Sequence, residues 1–196
     1  CHILLNRGKK LAVGAEAGVT NSDGLLGLSG NVSFKNRNTF GRSEALEFRI
    51  TGAIESQKPL TETGGQTDIG TGVAENVLFN TFEIGPELTI EFPYFFPIKL
   101  DRFRKSNDPF VTLSAAFNYQ DRPDFNRQLY QFRYSASFVE NPNKGSRIFW
   151  DIWELSTIRI EKSEAFQNLL TSLNDDFLIN SYSNHLISSG RVGWLL

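Results

Sequence analysis

Between Leu11 and Phe138 the chain alternates apolar and polar residues with period two in six separate runs, and the apolar phase of those runs contains no charged residue. Successive side chains of a β-strand point to opposite faces of a sheet, so each run reads as a strand with one greasy face and one hydrophilic face. Leu11, Val13, Ala15, Ala17 and Val19 stand opposite Ala12, Gly14, Glu16, Gly18 and Thr20. After the turn NSDG, Leu26 to Phe34 repeats the pattern, and Leu46 to Glu55 repeats it again. The fourth run sets Phe82, Ile84, Pro86, Leu88, Ile90 and Phe92 against Glu83, Gly85, Glu87, Thr89 and Glu91. Val111 to Tyr119 and Tyr130 to Phe138 complete the set.

The connections are uneven. Ser56 to about Asn80 is rich in Gly and Thr and reads as a long loop. A seventh strand, roughly Arg147 to Ile160, carries Trp150 and Trp153 but alternates imperfectly, and an eighth begins near Asn184. Between them SEAFQNLLTSL places Phe166, Leu169, Leu170 and Leu173 at helical spacing behind Ser163, which predicts a short capped helix. Pro86 has no N–H for a ladder, so a bulge is expected there.

Which side of such a sheet meets water decides the class. Glu16, Lys35, Glu47, Arg49, Glu55, Glu83, Glu87, Glu91 and Arg133 all fall in the polar phase. A lipid-facing wall has that profile, because Lys or Arg at the bilayer midplane costs about 2–4 kcal/mol while a watery lumen tolerates charge. A soluble antiparallel barrel or sandwich alternates in the same way, with its greasy face turned inward. Three features favour the membrane: aromatic clusters at strand ends (Phe92, Tyr94, Phe95 and Phe96; Tyr119; Trp194), small residues opposite the greasy ones, and long loops, Ser56 to Asn80 and Glu161 to Ser183, at the same end of a meander. The expected fold is therefore all-β, an antiparallel up-and-down transmembrane β-barrel of which about eight strands are present. The lumen-facing charges are expected to be Glu47, Arg49, Glu83, Glu87, Glu91 and Arg133. No uninterrupted apolar run reaches 18 residues, so the sequence offers no transmembrane helix.

Composition excludes several function classes. Twenty basic and 22 acidic residues give a net charge of −2 without a basic stripe, which argues against nucleic acid as a partner. Cys1, His2 and His185 make no metal-ligand spacing, and no metal or cofactor is expected. Cys1 could carry a lipid only behind a lipobox, and none is visible. The chain has no Met, and a patterned run is still open at SSGRVGWLL. It is expected to be cut from a longer protein, with residues 1–9 as an edge or linker and 10–196 as barrel. Glu83, Glu87 and Glu91 share one side of a strand, but nothing supplies a nucleophile or a tuned acid partner. GLSG lacks the setting of a nucleophile elbow, and TGGQTDIGTG lacks the Lys-Ser/Thr of a phosphate loop. Ser183, His185 and Asp176 have the residue types of a triad without a reason to assemble. No enzyme is expected.

The order of the segments carries a resemblance. GNVSFKNRNTFGRSEALEFRITGAIESQ, a strand, an Asn/Arg turn and a second strand, resembles the first hairpins of the BamA/TamA family, the bacterial surface-antigen barrels that carry periplasmic POTRA domains. FNTFEIGPELTIEFPYFFP is similar to that family's fourth strand with its Phe-Pro exit, and FNYQDRPDFNRQLYQFRYSASF to its fifth and sixth strands. The resemblance spans nearly the whole chain and covers about the first half of a sixteen-strand barrel. The family's POTRA repeats and its sixth-loop Arg-Gly-Tyr/Phe motif are expected to lie outside this chain, so the residues most tied to activity cannot be carried over onto it.

The resemblance implies an outer-membrane factor that helps insert or export outer-membrane and surface proteins. Its partners would be the lipid bilayer, nascent outer-membrane or surface proteins, and periplasmic or lipoprotein subunits. It also implies that the first strand, Lys10 to Thr20, closes against the last strand in a seam that opens. Leu11, Ala12, Val13, Gly14, Ala15, Glu16, Ala17, Gly18 and Val19 are the seam residues. Their small side chains leave backbone hydrogen bonds to dominate, which an incoming strand could exchange. The same small residues would also suit a crowded barrel wall. A passive channel of another family and a soluble ligand-binding barrel are the competing readings.

Overall fold

A computed structural model describes residues 8–22, 25–56, 79–97, 107–141, 145–173 and 175–195. Eight strands follow one another in a single antiparallel sheet whose spatial order is the chain order. They are β1 (Leu11–Ser22), β2 (Leu25–Asn36), β3 (Ala45–Glu55), β4 (Thr81–Phe92), β5 (Phe110–Asp121), β6 (Phe125–Asn141), β7 (Ser146–Lys162) and β8 (His185–Leu195). Two short helices, α1 (Glu164–Leu173) and α2 (Asp176–Ser181), lie between β7 and β8. Every alternating run is a strand, and the all-β, up-and-down architecture follows from them. Closure does not: β1 pairs only with β2 and β8 only with β7, so among the described residues the sheet is open. The long loop expected between Ser56 and Asn80 lies, over residues 57–78, outside the described residues.

The register keeps the two phases apart. Val13, Phe34, Phe48, Leu88, Ala115, Phe132 and Leu155 form one row across seven strands, each directly opposite the next. The adjacent row on the other face runs through Ser33, Arg49, Glu87 and Ala116. On β4 the apolar residues Phe82, Ile84 and Leu88 are exposed, whereas Glu83, Glu87, Thr89 and Glu91 are half-buried and Thr81 and Gly85 are buried. The polar face is thus the more enclosed one there.

Pro86 does not make the expected bulge. The pairing of β3 with β4 runs through Ile50 and Pro86 without a shift. Toward β5 the register is the same on both sides of Gly85 and Pro86, but those two residues are unpaired. A proline facing that neighbour removes one ladder bond without displacing the strand. The extra residue sits on β7 instead. Tyr134 pairs with Trp153 and Ser135 with Asp151, which leaves Ile152 over. The same irregularity appears toward β8, between Asp151 and Glu154. One inserted residue reverses the phase of a strand, so Trp150 and Trp153 share the apolar face, and the imperfect alternation of the sequence is accounted for.

Among the described residues two small clusters stand in place of a central core. On the apolar face, Phe92, Val111 and Ala136 are buried beneath Tyr94 and Phe95, because the chain leaving β4 folds back over its own sheet. Phe96 stacks on Phe92 with centroids 4.4 Å apart, and the Tyr134 hydroxyl donates to the Phe96 carbonyl. At the opposite end, Phe166 and Leu170 of α1 pack on Phe125 with Ile160 and Tyr182. Ser163 caps α1, its Oγ accepting from the Phe166 N–H at 3.3 Å, as the sequence predicts. Sequence reading missed α2, whose cap is Asp175, accepting from the N–H groups of Phe177 and Leu178.

Candidate functional site: an open strand edge and a charged face

β1 is built for close approach. Gly14 faces Ser33, and a Cβ at Gly14 would stand 2.8 Å from Ser33 Oγ. Gly30 lies between Ala17 and Gly52, and a Cβ there would meet the Glu16 carbonyl at 3.2 Å. Leu11 to Val19 are all exposed, and among the described residues the outer edge of β1 carries no strand. Such an edge presents a row of free N–H and C=O groups. Glu16 is the one charged side chain on the strand, and its carboxylate accepts from Asn31 at 2.9 Å on the polar face.

The expected lumen charges stand on one face, and three of them join. Lys35 bridges Glu47 at 3.3 Å and Glu91 at 3.8 Å, and Arg49 donates to Glu47 at 2.7 Å. Glu87 is in register with Arg49. The other two find partners outside the expected set. Arg133 pairs with Glu154 at 2.7 Å, and Glu83 accepts from Asn118 at 2.7 Å and from Gln120 at 3.1 Å. Arg191 and Asp151 add a further bridge at 2.7 Å. Asn118, Gln120, Asp151, Glu154 and Arg191 were missed because polar residues on later strands cannot be assigned to a cluster before the register is known. Exposed pairs of this kind are worth about 0–1 kcal/mol each. Their significance is that the ion pairs gather on the more enclosed face, whereas the more exposed face carries charge only in its end rows, at Asp121, Arg159 and Glu161.

No catalytic grouping forms from the residues considered for it. Glu83, Glu87 and Glu91 go to separate surroundings. Ser183 Oγ lies 3.3 Å from His185 Nε2, but that nitrogen also sits 2.8 Å from the Asn180 carbonyl. A carbonyl only accepts, so Nε2 carries the proton and cannot take one from Ser183. Among the described residues no carboxylate contacts His185, and no group of His, Cys, Asp and Glu has the geometry of a metal site.

A second polar device lies outside the strands. Glu44, 1% exposed, closes the turn between β2 and β3. Its carboxylate accepts from the Tyr94 hydroxyl and from the Arg42 N–H at 2.9 Å. Burial pushes the Glu44 carboxyl upward, but the hydrogen bonds from Tyr94 and from the backbone outweigh it, and the net direction is down. The same bond to Glu44, with burial, pushes the Tyr94 hydroxyl up. Asn38 completes the turn by accepting from the Ser43 N–H, where φ is +70°. The turn thereby holds the aromatic segment that folds over the apolar face.

Compared with protein-family models, with curated proteins and with solved structures, the chain matches none.

Proposed function

We propose that this chain forms part of an outer-membrane β-barrel, of the BamA/TamA type, that assists the insertion or export of outer-membrane and surface proteins. The observation that carries this reading is the inverted sheet: a broad exposed face whose charged residues in the register, Asp121, Arg159 and Glu161, stand only in the end rows through Phe82 and Ile84, and a more enclosed face with the ion pairs. In a soluble sandwich the greasy face needs a second layer. Among the described residues only the segment after Phe92 covers any of it. In lipid that face needs no cover, and strands of 11 and 12 residues reach across a tilted barrel wall. The open β1 edge, with Gly14, Ala15, Ala17 and Gly18, supports the mechanism. An incoming strand takes the free backbone groups of β1, and the small side chains let it do so without displacing packed neighbours. Substrates are nascent outer-membrane or surface proteins, helped by periplasmic or lipoprotein subunits, and no cofactor takes part.

The three tryptophans provide the test of the membrane wall. Trp150, Trp153 and Trp194 all lie on the apolar face, 49%, 60% and 62% exposed. Brominated phospholipids quench tryptophan on contact, so reconstituted protein should lose most of its emission in brominated vesicles. Emission unchanged by bromination, with protein recovered in the aqueous phase, would replace this reading by a soluble binding module. The seam is tested separately, by cross-linking Lys10 to Thr20 shut in the full-length protein. Undiminished assembly in the locked form, or steady ion conductance without assembly activity, would leave a passive channel.

A further inference from the structure

The two ends of the sheet differ in charge. At one corner β1 begins, β2 ends and β3 begins, with Asn36 opposite Leu11 on one side and Leu46 on the other. Residues 8–10 and 36–45 carry four cations there, Lys9, Lys10, Arg37 and Arg42, and one carboxylate, Glu44. The Arg37 N–H donates to the Lys10 carbonyl at 2.9 Å, which fastens the β2–β3 turn against the segment that brings the lysines. All four cations are exposed, and among the described residues none of them is in an ion pair. Glu44 does not offset them at the surface, because it is 1% exposed and is taken up by the Tyr94 hydroxyl and the Arg42 N–H. The far end has the opposite sign. Residues 121–125 and 161–176, around the β5–β6 turn and the helices, hold six carboxylates against two cations.

The basic corner also carries an aromatic rim. Phe40, in the turn between Arg37 and Arg42, is 63% exposed. Beside the turn, Tyr94 is bound to Glu44 and leads into Phe95 and Phe96, which lie over the end of the apolar face. Aromatic rings gather at the boundary between hydrocarbon and headgroups, and cations just outside that boundary are drawn to anionic headgroups. An acidic protein would also meet the four cations, but it gives no reason for an exposed phenylalanine among them at the end of an uncovered apolar wall. We propose that this corner docks on the headgroups of anionic phospholipids, with Phe40 entering the interface and Lys9, Lys10, Arg37 and Arg42 against the phosphates. The proposal rests on the membrane-wall reading, and it adds the class of lipid and the end of the sheet that meets it.

The test places one reporter in the corner of the whole chain: Phe40→Trp, combined with Trp150→Phe, Trp153→Phe and Trp194→Phe. Vesicles hold equal parts of phosphatidylglycerol and phosphatidylcholine, with either one or the other brominated. A cation near an anionic surface gains about fivefold in binding, so quenching should report a preference for phosphatidylglycerol of at least about fivefold. That preference is expected at about 10 mM salt, where the screening length is about 30 Å, and should largely vanish at about 1 M, where it is about 3 Å. Lys9→Gln, Lys10→Gln, Arg37→Gln and Arg42→Gln together should bring the two lipids to equality at either salt. Equal quenching by both lipids in the reporter chain at low salt overturns the proposal and keeps the wall in lipid. A reporter quenched by neither, while the native tryptophans of the parent chain are quenched, also overturns it and leaves the corner to an acidic protein. Native tryptophans that are unquenched as well would remove the membrane wall and the proposal with it.

Discussion

Val32 and Asn31 are consecutive on β2 and point to opposite faces, so one substitution made at both positions asks which face meets lipid. Val32 lies between Ala15 and Ile50 and is 57% exposed. Asn31 lies between Glu16 and Thr51 and already donates to the Glu16 carboxylate. In Asn31→Lys the ammonium meets that carboxylate in water, and the change should stay within about 1 kcal/mol. In Val32→Lys the charge stands between Ala15 and Ile50, which offer it no partner. If that face is in water, an exposed substitution on a strand costs at most about 1 kcal/mol, mostly β-propensity. If it is in lipid near the midplane, the cost is about 2–4 kcal/mol, roughly 30- to 900-fold in the folding equilibrium. Guanidinium unfolding in phosphatidylcholine vesicles, followed by tryptophan emission, measures both variants against the parent chain. Equal midpoints for the two would refute the assignment of faces, whatever the absolute stability.

Four other sites give measurable outcomes. Glu44 titrates below its ordinary value of 4.5, so its contribution is present above 4.5 and is lost as the pH falls through the lower folded value; near-ultraviolet circular dichroism should show the aromatic segment loosening on that acid limb, and Glu44→Gln should remove the limb. Tyr94 is shifted the other way, so its share is present below 10.0 and disappears as the pH rises through the higher folded value; Tyr94→Phe should abolish the alkaline transition. Gly30→Val presses on the Glu16 carbonyl, 3.2 Å from the first added carbon, and should speed amide exchange in β1 more than in β4; equal acceleration in both would show that the seam is not locally set. Deleting Ile152 removes the extra residue of β7 and should leave Trp153 opposite Tyr134 on the apolar face, still quenched by brominated lipid, whereas inserting a second residue beside Ile152 should turn Trp153 away from it; loss of quenching on the deletion would show that Ile152 is not the bulge.

Much of the fold was legible in the sequence because period-two alternation is a local property. Leu46 to Ile54 could be assigned a greasy face before any neighbour was known, since the geometry of an extended chain alone separates odd from even positions. The Ser163 cap and the helical spacing of Phe166 and Leu170 were legible for the same reason. Alternation alone puts Glu47, Arg49 and Glu91 in one phase, but that Lys35 bridges Glu47 and Glu91 while Arg49 takes Glu47 is an outcome of register. Ile152 shows the limit in one residue. An irregular stretch around Trp150 and Trp153 was visible, but whether it broke the strand or bulged depended on what β6 and β8 presented to it.

What the sequence determined by itself is the set of strands and the sorting of charge between two faces, because both follow from alternation and from the cost of placing charge among apolar groups. Only the tertiary structure decided where the chain after Phe92 goes, how Glu44 reaches Tyr94 across 50 residues, and that α1 closes on Phe125. Those contacts join segments that carry no local instruction to meet; they form because the sheet, once paired in register, brings their ends together and buries the aromatic rings that remain.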